Sequence, residues 1–275
     1  IIFGGLKRIA KVAEWMVPVM AGGYILLALF IMLTNITEIP NVFKLIFESA
    51  FGLKEAAGGA FAAAMMNGIK RGLFSNEAGI GSAPNAAATA DVSHPVKQGL
   101  IQTLGVFIDT LLVCTSTAAI VLLSDAYLKS DAASVNLTQV SLVSNLGDWA
   151  GIFLAIAVFL FAYSTVIGNY YYGETNIGFI KESKTFLQVF RVLVVGFVMF
   201  GSIAKVQVVW DLADLFMAVM AVINLIAILL LWKVAKPVIN DYLAQRKKGK
   251  DPVFYKKNVP NIGDVECWGD EEENR

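Results

Sequence analysis

The polar groups that could do chemistry in this chain stand out because so little around them is polar. Asp109 sits roughly midway along Gln98–Leu123, where it is the one charge, and Thr110, Thr115, Ser116 and Thr117 follow it. A carboxylate at the centre of a membrane helix costs about 2.5–3.5 kcal/mol on insertion scales, so it is paired, protonated or part of an ion path. A structural pair and an ion-pathway role both remain open for it. Phe74, Ser75, Asn76 and Glu77 run into Gly79, Gly81 and Pro84, with Gly72 just before them. Glycine tolerates open backbone and close ligand approach, and proline removes a donor. A helix opened here exposes amide donors at one end and carbonyls at the other, able to hold an anionic solute group and a cation. The competing reading is a kinked helix or re-entrant loop in which Ser75 and Asn76 only cap frayed ends. Ser164 and Thr165 are adjacent hydroxyls in the uncharged run Trp149–Gly173. Their oxygens are hard ligands suited to a small hard cation, although back-bonding to the preceding turn is their ordinary occupation in membrane helices. His94, the one histidine, precedes Pro95; a helix-capping loop residue is preferred over a pH sensor.

The elements that must position these residues are membrane helices. Of the 275 residues 57% are hydrophobic and 16% charged, and 17 of the 44 formal charges fall in the last 43 positions. A soluble globule cannot hide that much apolar surface, which excludes an ordinary cytosolic enzyme and a disordered chain. Net charge zero gives no basic footprint for nucleic acid. Cys114 in an apolar run and Cys267 in a charged segment do not form a disulfide framework. No metal or nucleotide signature occurs. The opening IIFGGLKRIA lacks a signal peptide's pattern and is read as the start of the carboxyl-terminal part of a longer chain.

Five stretches reach the roughly 20 apolar residues of a spanning helix: Trp15–Leu33, Gln98–Leu123, Trp149–Gly173, Thr185–Ala204 and the shorter Leu215–Trp232. Ala56–Val92 holds two short runs, Ala56–Ile69 and Ala78–Ala90, around KRGLFSNE. If the pair crosses as one broken helix, fifteen basic residues face the cytoplasm and only Lys44, Lys54, Lys129 and Lys205 face out. Without that crossing, no orientation satisfies the positive-inside rule. Six crossings with both ends cytoplasmic are therefore expected. The small-residue runs GGAFAAA and AGIGSAPNAAATA suit close helix packing at a bundle centre.

At SNEAGIGSAPNAAATADVSHPVKQG, residues 75–99, the chain resembles the alanine or glycine:cation symporter family. GGLKRIAKVAEWMVPVMAGGYI (4–25), KRGLFSNEAG (70–79), FIDTLLVCTSTA (107–118) and FAYSTVIGNYYYGE (161–174) agree further. The similarity runs from about residue 4 to about residue 235. That family is a branch of the amino acid–polyamine–cation superfamily with the LeuT-type fold of two inverted five-helix repeats. The resemblance implies an all-α integral membrane protein whose six spans correspond to helices 5–10 of that fold, with a broken sixth helix. It implies that the first four helices lie in a missing amino-terminal half of the same chain, which supplies the rest of the site.

Under the resemblance, Phe74, Ser75, Asn76, Gly79 and Gly81 are the substrate-binding candidates. Asn76 suits an amino acid's ammonium or carboxylate, Phe74 could cap a pocket over an alanine methyl, and the glycines offer backbone donors. Ser164 and Thr165 are the sodium candidates. Glu77 pairs with Lys70 or Arg71, or holds the break open. Lys70 and Arg71 either meet Asp211 or Asp214 as an outer gate or, in a rival register, are cytoplasmic anchors. Tyr170, Tyr171 and Tyr172 read as an interface belt. Residues 1–235 form the transmembrane domain and 236–275 a charged cytoplasmic tail, solvated or, through Arg246, Lys247, Lys248 and Lys250, touching anionic lipid.

The expected function is sodium-coupled symport of alanine or glycine across the plasma membrane, a bacterial or archaeal inner membrane. The partners are the amino acid, sodium and the bilayer, with no cofactor and no nucleic acid. Proton coupling, or D-alanine or serine as solute, is the alternative within transport. A membrane enzyme using Glu77 or Asp109 as acid or base lacks a convergent nucleophile or metal cluster. A non-transporting membrane partner subunit is the remaining alternative.

Overall fold

Long apolar runs pair every backbone amide within the segment only as helices, which is what a bilayer demands. The computed structural model describes residues 6–51, 58–124, 126–129, 135–180, 183–259, 262, 265 and 268, and no strand occurs among them. Lys54, Lys181 and Cys267, which enter the charge and cysteine arguments, lie outside the described residues. In order the helices are α1 (Leu6–Thr34), α2 (Ile39–Ala50), α3 (Gly58–Asn76), α4 (Ser82–Ala87) and α5 (Pro95–Phe107), followed by a π-helical segment (Ile108–Cys114). Then come α6 (Thr115–Leu122), α7 (Ala126–Lys129), α8 (Val135–Leu146), α9 (Trp149–Ile180), α10 (Lys184–Ile203) and α11 (Val206–Lys247).

Among the described residues five helical stretches are long and apolar enough to cross a membrane: Ile9–Thr34, Pro95–Leu122, Trp149–Ile180, Lys184–Ile203 and Val206–Lys247. They fall on the five runs read from sequence, each extended at one or both ends. Side chains such as Leu229 and Leu230 of α11 are more than 70% exposed, which suits a surface facing lipid. The chain is a multi-pass, all-helical membrane protein.

Ala56–Val92 differs from its sequence reading. α3 runs unbroken through KRGLFSN, so Gly72 and residues 74–76 lie inside it. The opening falls at 77–81, where Glu77 (φ 55°), Gly79 (φ 81°) and Gly81 (φ 112°) take left-handed backbone. Only glycine adopts that region without cost, so two of the three positions are fitted to it. The second arm is a six-residue helix with Pro84 in its first turn, not the full run 78–90.

The chain divides into two units, residues 1–76 with 107–199 and residues 77–106 with 200–275. The first is built on Tyr24, Ala28 and Ile31 of α1 packed with Ile120 of α6, Leu142 of α8, and Ala150 and Leu154 of α9. A second cluster joins Ile9, Ile167 and Tyr170, with Phe190 against it. Tyr170 is buried, and its hydroxyl accepts a hydrogen bond from Arg191 Nε at 2.9 Å. It is therefore not part of an exposed aromatic belt: the one charge in the neighbouring span recruits it. Arg191 also meets Glu174 at 3.4 Å, pairing that charge as a membrane interior requires.

The second unit is carried by α11, 42 residues long and so about 63 Å by helical rise, twice a hydrocarbon core of about 30 Å. The boundary read at 235/236 falls inside this helix, which continues past Pro237 to Lys247. Val238, Phe254 and Val259 then form a small core with Val96 packed against it. The segment after the helix is thus held, at least to Val259, instead of being freely solvated. The helical spacing of Val238 and Tyr242, and the apolar Val253 and Phe254, explain why.

Candidate functional site

The end of α3 and the π-helical segment make one polar cluster in the first unit. Ser75 Oγ donates to Asp109 Oδ2 at 2.7 Å, Asn76 Nδ2 donates to Thr110 Oγ1 at 3.1 Å, and Ser75 lies 3.2 Å from Cys114 Sγ. The thiol in turn lies 3.8 Å from Asp109 Oδ2. The π-helical geometry, spanning 108–114, shifts the side-chain register of the helix at the position where the carboxylate must be turned. Such single π insertions recur at functional positions. Asp109 therefore has hydroxyl and thiol partners, which is how a carboxylate at this depth is accommodated. Arg71 lies 5.9 Å from the Phe74 ring centre, within cation–π range, so the Phe74 face meets a guanidinium.

The second unit holds the opened backbone. The Ser82 hydroxyl donates to the Glu77 carboxylate across the opening, tying the two ends of the turn to each other. Ile80 N donates to Glu77 O at 3.3 Å and Asn85 Nδ2 to Gly81 O at 3.0 Å. Asn224 of α11 reaches in from outside the turn and donates from Nδ2 to Gly79 O at 3.0 Å. Gly81 packs so closely on Asn224 that a β-carbon added there would stand 3.1 Å from Asn224 Cβ.

Ser164 and Thr165 stand on unbroken α9, and both hydroxyls donate to Phe161 O, at 2.8 and 3.0 Å. This is back-bonding; a hydroxyl that donates its proton keeps lone pairs that a cation can still use. Lys70 and Arg71 belong to the first unit and Asp211 and Asp214 to the second. Asp211 accepts from Gln207 Nε2 one turn earlier, at 2.8 Å.

His94 is completely buried, just before the start of α5. Its Nδ1 accepts from Val96 N at 3.2 Å, which caps the helix as read from sequence, and leaves Nε2 to donate to Asp241 Oδ2 at 3.3 Å. Tyr242 and Phe254 meet the ring edge-to-face. Burial pushes the imidazole below its ordinary value; the hydrogen bond to Asp241 opposes this, and Lys97 adds to the lowering. Lys97 Nζ donates to Ser93 Oγ at 2.6 Å and Asp251 Oδ1 at 2.7 Å, while Phe254 N donates to Ser93 O at 2.9 Å.

Asn224, Cys114, Ser82, Asn85 and Asp241 take part in these clusters and are not among the candidates read from sequence. Asn224 carries a clear signal: it is the one polar residue between Leu215 and Trp232. Cys114 carries none, because a cysteine in an apolar run reads as a small hydrophobe.

Apolar spanning helices, the Arg191–Glu174 pair and the opened, glycine-lined turn belong to a multi-pass, helical membrane protein. The sodium:alanine symporter family matches residues 1–256, and the chain belongs to that family. It is similar to the probable sodium/glutamine symporter GlnT of Bacillus subtilis (strain 168), 58% identical over 268 residues, 98% of this chain and 56% of that protein. It is similar to the amino-acid carrier protein AlsT of the same organism, 56% identical over 99% of this chain and 58% of the relative. To the sodium/alanine symporter AgcS of Methanococcus maripaludis it is 41% identical, over 84% of this chain and 51% of that protein. The chain spans little more than half the length of these relatives. The family is one of symporters, not of enzymes.

Proposed function

We propose that this chain forms the part of a sodium-coupled amino-acid symporter that carries the opened helix, in a carrier of the relatives' length. The observation that carries the reading is the family match joined to the turn at 77–81, with its two left-handed glycines. The solute is a small neutral amino acid, alanine or glycine. Glutamine is a second reading, favoured by the name of the relative at 58% identity. Sodium is the coupling ion, since the family is described by it.

In this reading Phe74, Ser75, Asn76 and the amides near Gly79 and Gly81 meet the solute, and Ser164 and Thr165 offer hydroxyl oxygens to sodium. Asp109 orients Ser75 and sets the charge of the solute path. Glu77 braces the opening through Ser82, and Arg71 steadies Phe74. Solute and ion binding together shift the population between outward-open and inward-open states. The fold is LeuT-type, α3 with the second arm supplies a sixth crossing, and both ends of the chain face the cytoplasm of a plasma-membrane carrier. The membrane domain runs to about residue 235 within α11, and the end of that helix with the segment behind it is the cytoplasmic extension.

The test is uptake of labelled alanine, glycine and glutamine into transport-deficient cells, with and without a sodium gradient. The protein is this chain joined behind the amino-terminal part of the glutamine symporter relative. Uptake that needs sodium supports the reading, and the solute that competes best names the substrate. Correct insertion with no sodium-dependent uptake of any of the three overturns it.

A further inference from the structure

Leu215–Trp232 of α11 is an uncharged run in which one polar side chain, Asn224, is turned toward another element. The acceptor it meets is a backbone carbonyl, which can only accept, so the amide must present its NH2 group. That carbonyl belongs to Gly79, at the centre of the opened turn, and the Asn224 side chain also packs against Gly81, close enough to crowd any β-carbon placed there. A carbonyl freed from its helix in a membrane must find a donor from another element. Seventeen residues further along α11, Asp241 meets His94, at the far end of the stretch that begins with the opened turn. The arm 77–94 is thus attached to a single helix near both its ends.

We infer that Asn224 is a positioning residue of the opened turn: by holding the Gly79 carbonyl it fixes the direction in which the backbone groups of 77–81 face. The inference rests on the symporter reading for its consequence, because those groups are the ones proposed to meet the solute. Asn224 itself need not touch the solute. Its removal lets the turn rotate, so solute affinity falls while the helices remain inserted. Asn224→Asp keeps the shape and changes the chemistry. Its protonated carboxyl donates to Gly79 O; its ionised form turns one lone pair on another.

Two measurements decide it. In the joined carrier, Asn224→Leu raises the KM of sodium-dependent uptake on the order of tenfold, with Vmax per inserted molecule little changed, the loss of one part-buried hydrogen bond. Asn224→Asp regains uptake relative to wild type as external and internal pH are lowered together, whereas Asn224→Leu does not. A purely structural role does not produce that pH profile. Independently of transport, hydrogen–deuterium exchange of the 275-residue chain in lipid nanodiscs shows peptides spanning 77–88 exchanging about tenfold faster in Asn224→Leu, with α9 unchanged. Exchange unaltered over 77–88, or a leucine variant with wild-type KM, overturns the inference. Faster exchange over 77–88 in the 275-residue chain, together with a wild-type joined carrier that transports nothing, upholds the positioning role and sinks the symporter reading instead.

Discussion

Replacing Ser75 with alanine removes the hydroxyl that lies 2.7 Å from Asp109 Oδ2 and leaves the rest of α3 unchanged. A hydrogen bond to a charged group contributes about 1.5–3 kcal/mol, more than the roughly 0.5–1.5 kcal/mol of a neutral one. Converted at about 1.36 kcal/mol per decade, its loss corresponds to about a 10- to 150-fold change in an equilibrium that depends on the carboxylate. The Cys114 thiol, at 3.8 Å, is too weak a donor to compensate. The neighbouring bond from Asn76 to Thr110 joins two neutral groups, so its loss alone contributes only about 2- to 10-fold, and any larger effect of Asn76→Ala reports its contact with the solute.

The assay is sodium-dependent uptake by the joined carrier, with protein level in the membrane matched, reading the half-saturating concentrations of sodium and of solute. Ser75→Ala is expected to raise one or both by the larger factor, and Ser75→Thr, which keeps the hydroxyl, to restore them. A pair that served only packing would lower the heat-unfolding midpoint and leave both concentrations alone. Half-saturating values within about twofold of wild type, at equal insertion, refute the claim that Asp109 belongs to the ligand path.

Burial favours the neutral form of His94, so its proton affinity is higher once the packing around it is released; stability is complete above its ordinary value of 6.5 and is lost as pH falls below it. Heat unfolding followed from neutral to mildly acidic pH is expected to show that decline in wild type and less of it in His94→Gln. Phe254→Ala removes a ring buried to 3% exposure and costs about 3–5 kcal/mol locally, so trypsin cleavage after Lys256 and Lys257 is expected to rise by about two orders of magnitude or more; unchanged cleavage refutes the docking of this segment. Gly173→Ala drives a methyl into the Phe190 ring and is expected to lower stability by about 1–3 kcal/mol, read from the unfolding midpoint in nanodiscs.

What is legible in the sequence is whatever the bilayer itself enforces. The five apolar runs can be read because a continuous apolar run of about 20 residues pairs its amides within itself only as a helix. The turn at 77–81 is legible through Gly79 and Gly81, since left-handed backbone has a residue preference that glycine betrays. Its edges are not. KRGLFSN continues α3 because nothing in it forbids helix, and Glu77 takes positive φ beside a Ser82 hydroxyl whose contact no spacing rule anticipates. The π-helical segment is invisible in composition, as Ile108–Cys114 reads like any apolar turn around Asp109. The burial of Tyr170 is equally hidden: a tyrosine near a span's end reads as a belt until Arg191, on another helix, is placed against it. The chemistry of a membrane chain is thus best found by asking where each rare polar side chain must spend its hydrogen bonds. Applied to Leu215–Trp232, that question singles out Asn224 by residue type alone, and a carbonyl freed by a helix break is the kind of partner its amide has to find.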